Sequence, residues 1–208
     1  MSEVTVAHAG TSRVEAFSDG VLAIAITLLV LELRAPVTGG EFAHELRAEW
    51  PTYLAYLSAF VMIGVIWLHH HELLRRMTGV DTPFVLRNLA LLLTGSLLPF
   101  PTAVVSSAFR NGERADQVVA LGLFGALSIC ISLAWMWLCS YAAKHSRLMV
   151  DADAVAFAAG EPRRGVVPGV MTVVAFLIAF VAPPVTLVLY AATPIYYLAT
   201  LGRGTQED

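Results

Sequence analysis

The chain has 208 residues, of which 57% fall in the set AVILMFWYC and only 14% are charged, and its mean hydropathy is +0.70. A soluble domain carries about 25% charged residues, so this composition excludes a disordered chain, most soluble globular classes and a nucleic-acid binder with a broad basic face. The net charge of −3 implies no polyanionic partner, and the class left is an all-α integral membrane protein.

The first ten residues are polar and form no cleavable signal, because the apolar run begins only near Phe17. A first helix is predicted over about 14–33. Asp19 near one end and Glu32 near the other leave only a short uncharged run between them. This helix is therefore the least suited to face lipid on all sides, and its place is inside a bundle or along a pore. Trp50–Leu68, Asn88–Phe109 and Gln117–Ala143 each run without a charge. Each suffices for a span, which needs about 20 residues, and helices are predicted over about 51–71, 85–107 and 117–143. Pro99 and Pro101 are expected to bend or end the helix over 85–107.

The last uncharged stretch, Gly165–Gly202, is too long for one span. At about 1.5 Å per residue it would reach about 57 Å against a hydrocarbon core of about 30 Å. Pro183 and Pro184 lie near its middle, so it divides into helices over about 165–181 and 184–201 joined by a tight hairpin. The reading is one six-helix transmembrane domain over 1–208, with a mixed segment over 144–164 that is partly helical. Nine Lys and Arg residues fall in the segments on the side of the N-terminus and four (Arg34, Arg47, Arg110, Arg114) on the other. Both termini are therefore expected to be cytoplasmic.

On a helical wheel at about 100° per residue, Ile24, Leu28 and Leu31 form one narrow aliphatic stripe with Thr27 on its flank. Ser18 and Asp19 lie about 120–140° away from Ile24, so the polar pair and the stripe face different partners. Asp19 is read both as a carboxylate favoured by the helix N-terminus and as a member of a buried network, which are compatible. Glu32, at the far end, either concentrates cations at a pore mouth or is a solvated charge or a partner of Arg34.

Arg13-xxx-Phe17-Ser18-Asp19, followed by an apolar helix ending Val-Leu-Glu-Leu, resembles the first helix of the bacterial homologues of transmembrane protein 175, the endosomal and lysosomal potassium-channel family. Trp67-Leu-His69-His70, Arg87-Asn88-Leu and Leu98-Pro99-Phe100-Pro101-Thr102 resemble it too. The likeness covers about 13–105, and the later helices match by number and topology. It implies a potassium-permeable leak channel in the cell membrane, assembled as a homotetramer with the first helix of each subunit lining the axial pore. Carried over by position, the constriction is Ile24, Leu28 and Leu31, with Thr27 as the hydroxyl near the filter. Arg13, Phe17, Ser18 and Asp19 then form a structural network against which Trp67 and His70 pack. The sequence has no TVGYG-like carbonyl filter, so selectivity must come from hydrophobic constriction, wetting and pore electrostatics. A proton-permeable variant is a second outcome of the same resemblance.

Three consecutive histidines, His69, His70 and His71, point about 100° apart and cannot together ligate one ion, so no metal site is expected. They read as interfacial, with His70 assigned to the network. Trp135, Trp137, Tyr196 and Tyr197 fit interfacial anchoring. No nucleotide loop, cofactor motif or nucleophile–base set is present, and potassium is the only small partner implied. A secondary transporter lacks support because there is no internal repeat and no broken mid-membrane helix carrying charge. An intramembrane enzyme lacks mid-membrane acid, base or thiol pairs.

Overall fold

The computed structural model describes residues 2–33, 35 and 42–201, the side chains of 2–9, 197 and 199–201 excepted. It is helical almost throughout: α1 (Ser2–Leu28), α2 (Phe42–Ala48), α3 (Trp50–Arg75), α4 (Thr82–Ser96), α5 (Pro99–Asn111), α6 (Arg114–Lys144), α7 (Ala152–Arg164), α8 (Val166–Ala179) and α9 (Pro183–Leu201). Five stretches among the described residues are long and apolar enough to cross a membrane: Gly10–Glu32, Trp50–Arg75, Thr82–Asn111, Arg114–Lys144 and Ala152–Ala179. The 19-residue α9 adds a further helix without a charge.

The sequence predicts the first helix from residue 14, but the backbone is helical from Ser2, because nothing between Ser2 and Arg13 breaks it. Its last turn, Leu29–Glu32, tightens into a 3-10 helix. The third predicted helix is two. Pro99 offers no N–H, and at Leu97–Leu98 the chain makes tight turns, Leu98 N donating to Gly95 O and Phe100 N to Leu97 O. Thr102 Oγ1 donates to the carbonyl of Leu98, satisfying an acceptor at the break. No charged side chain stands there.

The segment 144–164 is more ordered than a loop. Asp151 caps α7 by accepting from Ala154 N. Ala154 and Ala158 are buried on the face toward α6, and α7 continues through Gly165 almost directly into α8. The α3–α4 turn is clipped to the start of this segment by Thr78 N to Leu148 O and Val150 N to Arg76 O. Asp81, the N-cap of α4, is burdened by desolvation. Even so, the Phe84 N–H, the Tyr141 hydroxyl and Arg147 hold its carboxyl below the usual carboxylate range.

The 31-residue α6 is the centre of the bundle and touches α4, α5, α7, α8 and α9. Gly125 lets α9 approach. A Cβ there would collide with the Tyr190 hydroxyl, which instead donates to the Leu121 carbonyl. The α8–α9 hairpin turns at Phe180–Ala182, ahead of Pro183, and Arg114 donates to the open carbonyls of Phe180 and Val181. Arg47, Arg110 and Arg114 stand at this hairpin end of the bundle, whereas Arg13, Arg75, Arg76, Arg87, Lys144, Arg147, Arg163 and Arg164 stand at the other, where α3 meets α4 and α6 meets α7. Arg34 and Arg203 lie outside the described residues.

Candidate functional site

The site is built around α1 and its terminal 3-10 turn, which pack on α3, α4 and α5 along one side. Ser18, Leu22, Ala25 and Leu29 recur every three or four residues and are buried against those helices. Turning the helix over exposes Ile24 (62%), Leu28 (43%) and Leu31 (71%), with Thr27 exposed beside them. The 3-10 turn matters for the last of these. Residues three apart eclipse in that geometry, so Leu31 lies in line with Leu28 instead of standing off to one side as it would in an α-helix. Thr27 Oγ1 donates back to the Ile24 carbonyl at 2.8 Å, which leaves its oxygen lone pairs facing outward. Glu32 is half-buried at the end of the turn, and its sequence-predicted partner Arg34 lies outside the described residues.

The three successive histidines of α3 point in different directions, and each ties a different helix to it. His70 is fully buried and its Nε2 bonds Asn88 Oδ1 on α4 at 2.7 Å. Asn88 Nδ2 donates to Ser18 Oγ at 2.9 Å, and Ser18 Oγ donates to the Val14 carbonyl. This chain of bonds links α3, α4 and α1 through buried polar atoms. Beside it, Trp67 Nε1 donates to Asp19 Oδ1 at 2.9 Å, and His71 Nδ1 meets Glu15 Oε1 at 2.8 Å with its ring stacked on Trp67.

The polar network expected from sequence therefore divides. Ser18, Asp19, Trp67 and His70 stand together, though Asp19 takes its donor from Trp67 and His70 reaches Ser18 only through Asn88. Arg13 and Phe17 are elsewhere. Both are exposed, and Arg13 has no polar partner among the described residues. The reason is angular. Arg13 lies about 120–140° from Ser18 and Asp19 around the helix, but within about 60° of Phe17, Ile24, Leu28 and Leu31. Half of the Arg-xxx-Phe-Ser-Asp motif thus belongs to the exposed face.

Asn88, Glu15 and His71 are members that the spacing alone did not single out. Asn88 could have been found as an amide in the middle of an apolar helix, which must be paired or suffer desolvation. His69 corrects the interfacial reading: it is buried, and its Nδ1 meets Glu161 Oε2 of α7 at 3.1 Å. Trp135 is corrected likewise, since it is buried and donates to the same oxygen at 2.9 Å. Trp137 and Tyr196 are exposed, and the Tyr197 side chain lies outside the described residues. Among the described residues no three His, Cys, Asp or Glu side chains form a group able to hold a metal ion.

The family model for the endosomal/lysosomal potassium channel TMEM175 matches residues 13–99, which takes in α1 from Arg13 onward, the network and α4. A potassium channel of Streptomyces collinus is 34% identical over 197 residues, covering 90% of this chain and 91% of that protein. One of Chamaesiphon minutus is 38% identical over 146 residues, covering 68% and 70%. Among solved structures, the crystal structure of a lysosomal potassium-selective channel TMEM175 homolog from Chamaesiphon minutus superposes with a TM-score of 0.71 at 29% identity, over 91% of this chain and 97% of that one.

Proposed function

This chain belongs to the endosomal/lysosomal potassium channel TMEM175 family, and we propose that it conducts potassium along an axial path lined by α1 of each subunit. It is a membrane-embedded potassium channel and not an enzyme. In the proposed assembly four copies surround one axis. Each contributes Ile24, Leu28 and Leu31 to an aliphatic constriction, Thr27 to a ring of hydroxyls, and Glu32 to one mouth. Each chain crosses the plasma membrane six times, the sixth through α9, with both termini in the cytoplasm, where the excess of Lys and Arg lies.

The observation that carries this reading is the exposed face of α1. It is aliphatic along its middle but is bounded by Arg13 at one end and Glu32 at the other, with Asp19 partly exposed on its flank. A face so bounded is poorly matched to lipid and well matched to a water-filled path with a dry waist. An aliphatic ring raises the barrier to a hydrated cation, and conduction depends on how readily the waist wets. No cofactor takes part; the permeant ion is the small partner. The test is a planar-bilayer recording of the purified protein under a potassium/sodium gradient. Unitary currents reversing toward the potassium potential are expected, and saturable exchange without unitary events would overturn the reading. Size measurement of the solubilised protein checks the tetramer.

A further inference from the structure

Arg87 stands on α4 about 8 Å from its first residue, at the end of the bundle rich in cations. Its guanidinium lies across two rings of α6, 4.7 Å from the centroid of Trp137 and 4.1 Å from that of Tyr141. These residues are one helical turn apart, so together they form a flat aromatic bed. Nη1 donates to the Pro83 carbonyl at 2.6 Å. Nε is shut away under the stack with no partner. A guanidinium has five N–H donors and no acceptor, so most of this one's capacity has no partner among the described residues, and the Nη atoms are the ones open to a further acceptor.

The neighbouring carboxylates are occupied. Glu72 pairs with Arg75 and Arg76, Asp81 with Arg147, and Glu161 with Arg164. Among the described residues none pairs with Arg87. Water alone could solvate an arginine that snorkels from an apolar surface, but this guanidinium is held over two aromatic rings. Its surroundings are exposed apolar surface: Trp137 is half exposed, and Leu133 and Cys130, one and two turns along the same face of α6, are exposed as well. In the other direction Lys144, two turns beyond Trp137 and so on the same face, is exposed and has no ion pair among the described residues.

We propose that Arg87, seated on Trp137 and Tyr141, binds the phosphodiester headgroup of an anionic phospholipid in the seam between α4 and α6. Planar guanidinium donors match phosphate oxygens. The aromatic pair sits where membrane-interface aromatics sit. Leu133 and Cys130 give an acyl chain a surface to lie along, and Lys144 favours a headgroup with net negative charge over a zwitterionic one. This site is independent of the conduction path, since α1 contributes nothing to it.

Native mass spectrometry of the detergent-purified protein tests the proposal, with phosphatidylglycerol, phosphatidylcholine or inorganic phosphate added. One retained phosphatidylglycerol per subunit is expected, with phosphatidylcholine held roughly tenfold more weakly and free phosphate not retained. Arg87→Gln should weaken phosphatidylglycerol retention by about tenfold, Arg87→Lys by less, and Arg75→Gln, which removes the same charge at the same end, not at all. If Arg87→Gln does not fold, Trp137→Leu removes half of the aromatic bed and should weaken retention several-fold. Equal losses in Arg75→Gln and Arg87→Gln, equal retention of the two lipids, or retention of inorganic phosphate alone would each overturn the proposal.

Discussion

Around α1 two stripes run side by side with nearly the same spacing. Ser18, Leu22, Ala25 and Leu29 are buried, and Leu22 and Leu29 are among the most enclosed side chains in the chain. Phe17, Ile24, Leu28 and Leu31 are exposed. Both stripes are dominated by leucine-like residues at helical intervals, so hydrophobicity does not decide which one packs inward. The decision is made at the polar end. Ser18 can be buried only because Asn88 and the Val14 carbonyl satisfy it, whereas Arg13 would bring an unpaired charge into the protomer. One small hydroxyl and one guanidinium, on different sides of α1, fix the rotation of the whole helix.

This contrast can be broken by substituting leucine on each side. Leu22→Ala should cost about 2–5 kcal/mol of protomer stability through lost burial and the cavity left behind. Leu31→Ala should stay within about 0.5 kcal/mol, because its side chain, 71% exposed, has little protomer packing to lose. Thermal unfolding of both proteins in the same detergent measures the difference. Comparable losses would mean that the exposed face is buried against something in the protomer, and the division of α1 into two faces would fail.

Asn88 is the next largest effect. Asn88→Leu leaves the buried Ser18 hydroxyl and His70 Nε2 without each other's bridge, at about 1–3 kcal/mol for the orphaned groups. Trp67→Phe keeps the ring beside His71 and removes only the indole donor to Asp19, which is partly exposed, so about 0.5–1.5 kcal/mol is expected. Stability of the two single mutants and of the double mutant shows whether the Asn88 chain and the Asp19 pair act separately. A coupling of about 0.5 kcal/mol or more is expected, since Ser18 and Asp19 are consecutive on α1 and Trp67 and His70 lie one turn apart on α3; strict additivity would mean that the two sets act separately.

Much of this was legible in the sequence, and the reasons differ by region. The uncharged stretches located the helices because a span must be long and nearly free of charge. Pro99 and Pro183 marked the break and the hairpin because a missing N–H leaves few conformations. The two directions of α1 were readable from the wheel, as was the impossibility of three histidines sharing one ligand. Partners across helices were not readable. Whether His70 meets Asp19 or Asn88 depends on how α3 and α4 are set beside α1, which no local pattern encodes. The burial of His69 and Trp135 hinges on Glu161, one of three acids in a segment read only as mixed and partly helical, and only α7 folding back onto α6 brings it to them.

If the exposed face lines the conduction path, as proposed, substitutions on it act on current and not on stability. Ile24→Asn would then place an amide in the proposed aliphatic waist and ease its wetting. Conductance should rise by about three- to tenfold, equivalent to roughly 1 kcal/mol off the barrier, and the preference for potassium over sodium should fall. Unfolding should be unchanged within about 0.5 kcal/mol. Bilayer currents and reversal potentials check the first two. If Ala23 or Val30 variants alter both while Ile24, Leu28 and Leu31 variants do not, the conduction path runs along a different azimuth of α1.

The smallest effect sharpens the comparison most, because Thr27 is a hydroxyl among the exposed aliphatic residues as Ser18 is among the buried ones. Ser18 commits its hydroxyl to Asn88 and the Val14 carbonyl, whereas Thr27 donates only to Ile24 O and keeps its lone pairs free. A ring of such oxygens can replace part of a cation's water without closing the path, so it acts on which ion passes more than on how many. Thr27→Val keeps the branched shape and removes the oxygen; Thr27→Ala removes the oxygen and one methyl. If the oxygen matters, both should shift the reversal potential in the same direction and by similar amounts, with conductance changing by less than about twofold. A shift in Thr27→Ala alone would assign the effect to width. An unchanged reversal potential in both would place selectivity wholly in the aliphatic ring, and the hydroxyl of Thr27 would then serve only its own helix, as that of Thr102 does at the break between α4 and α5.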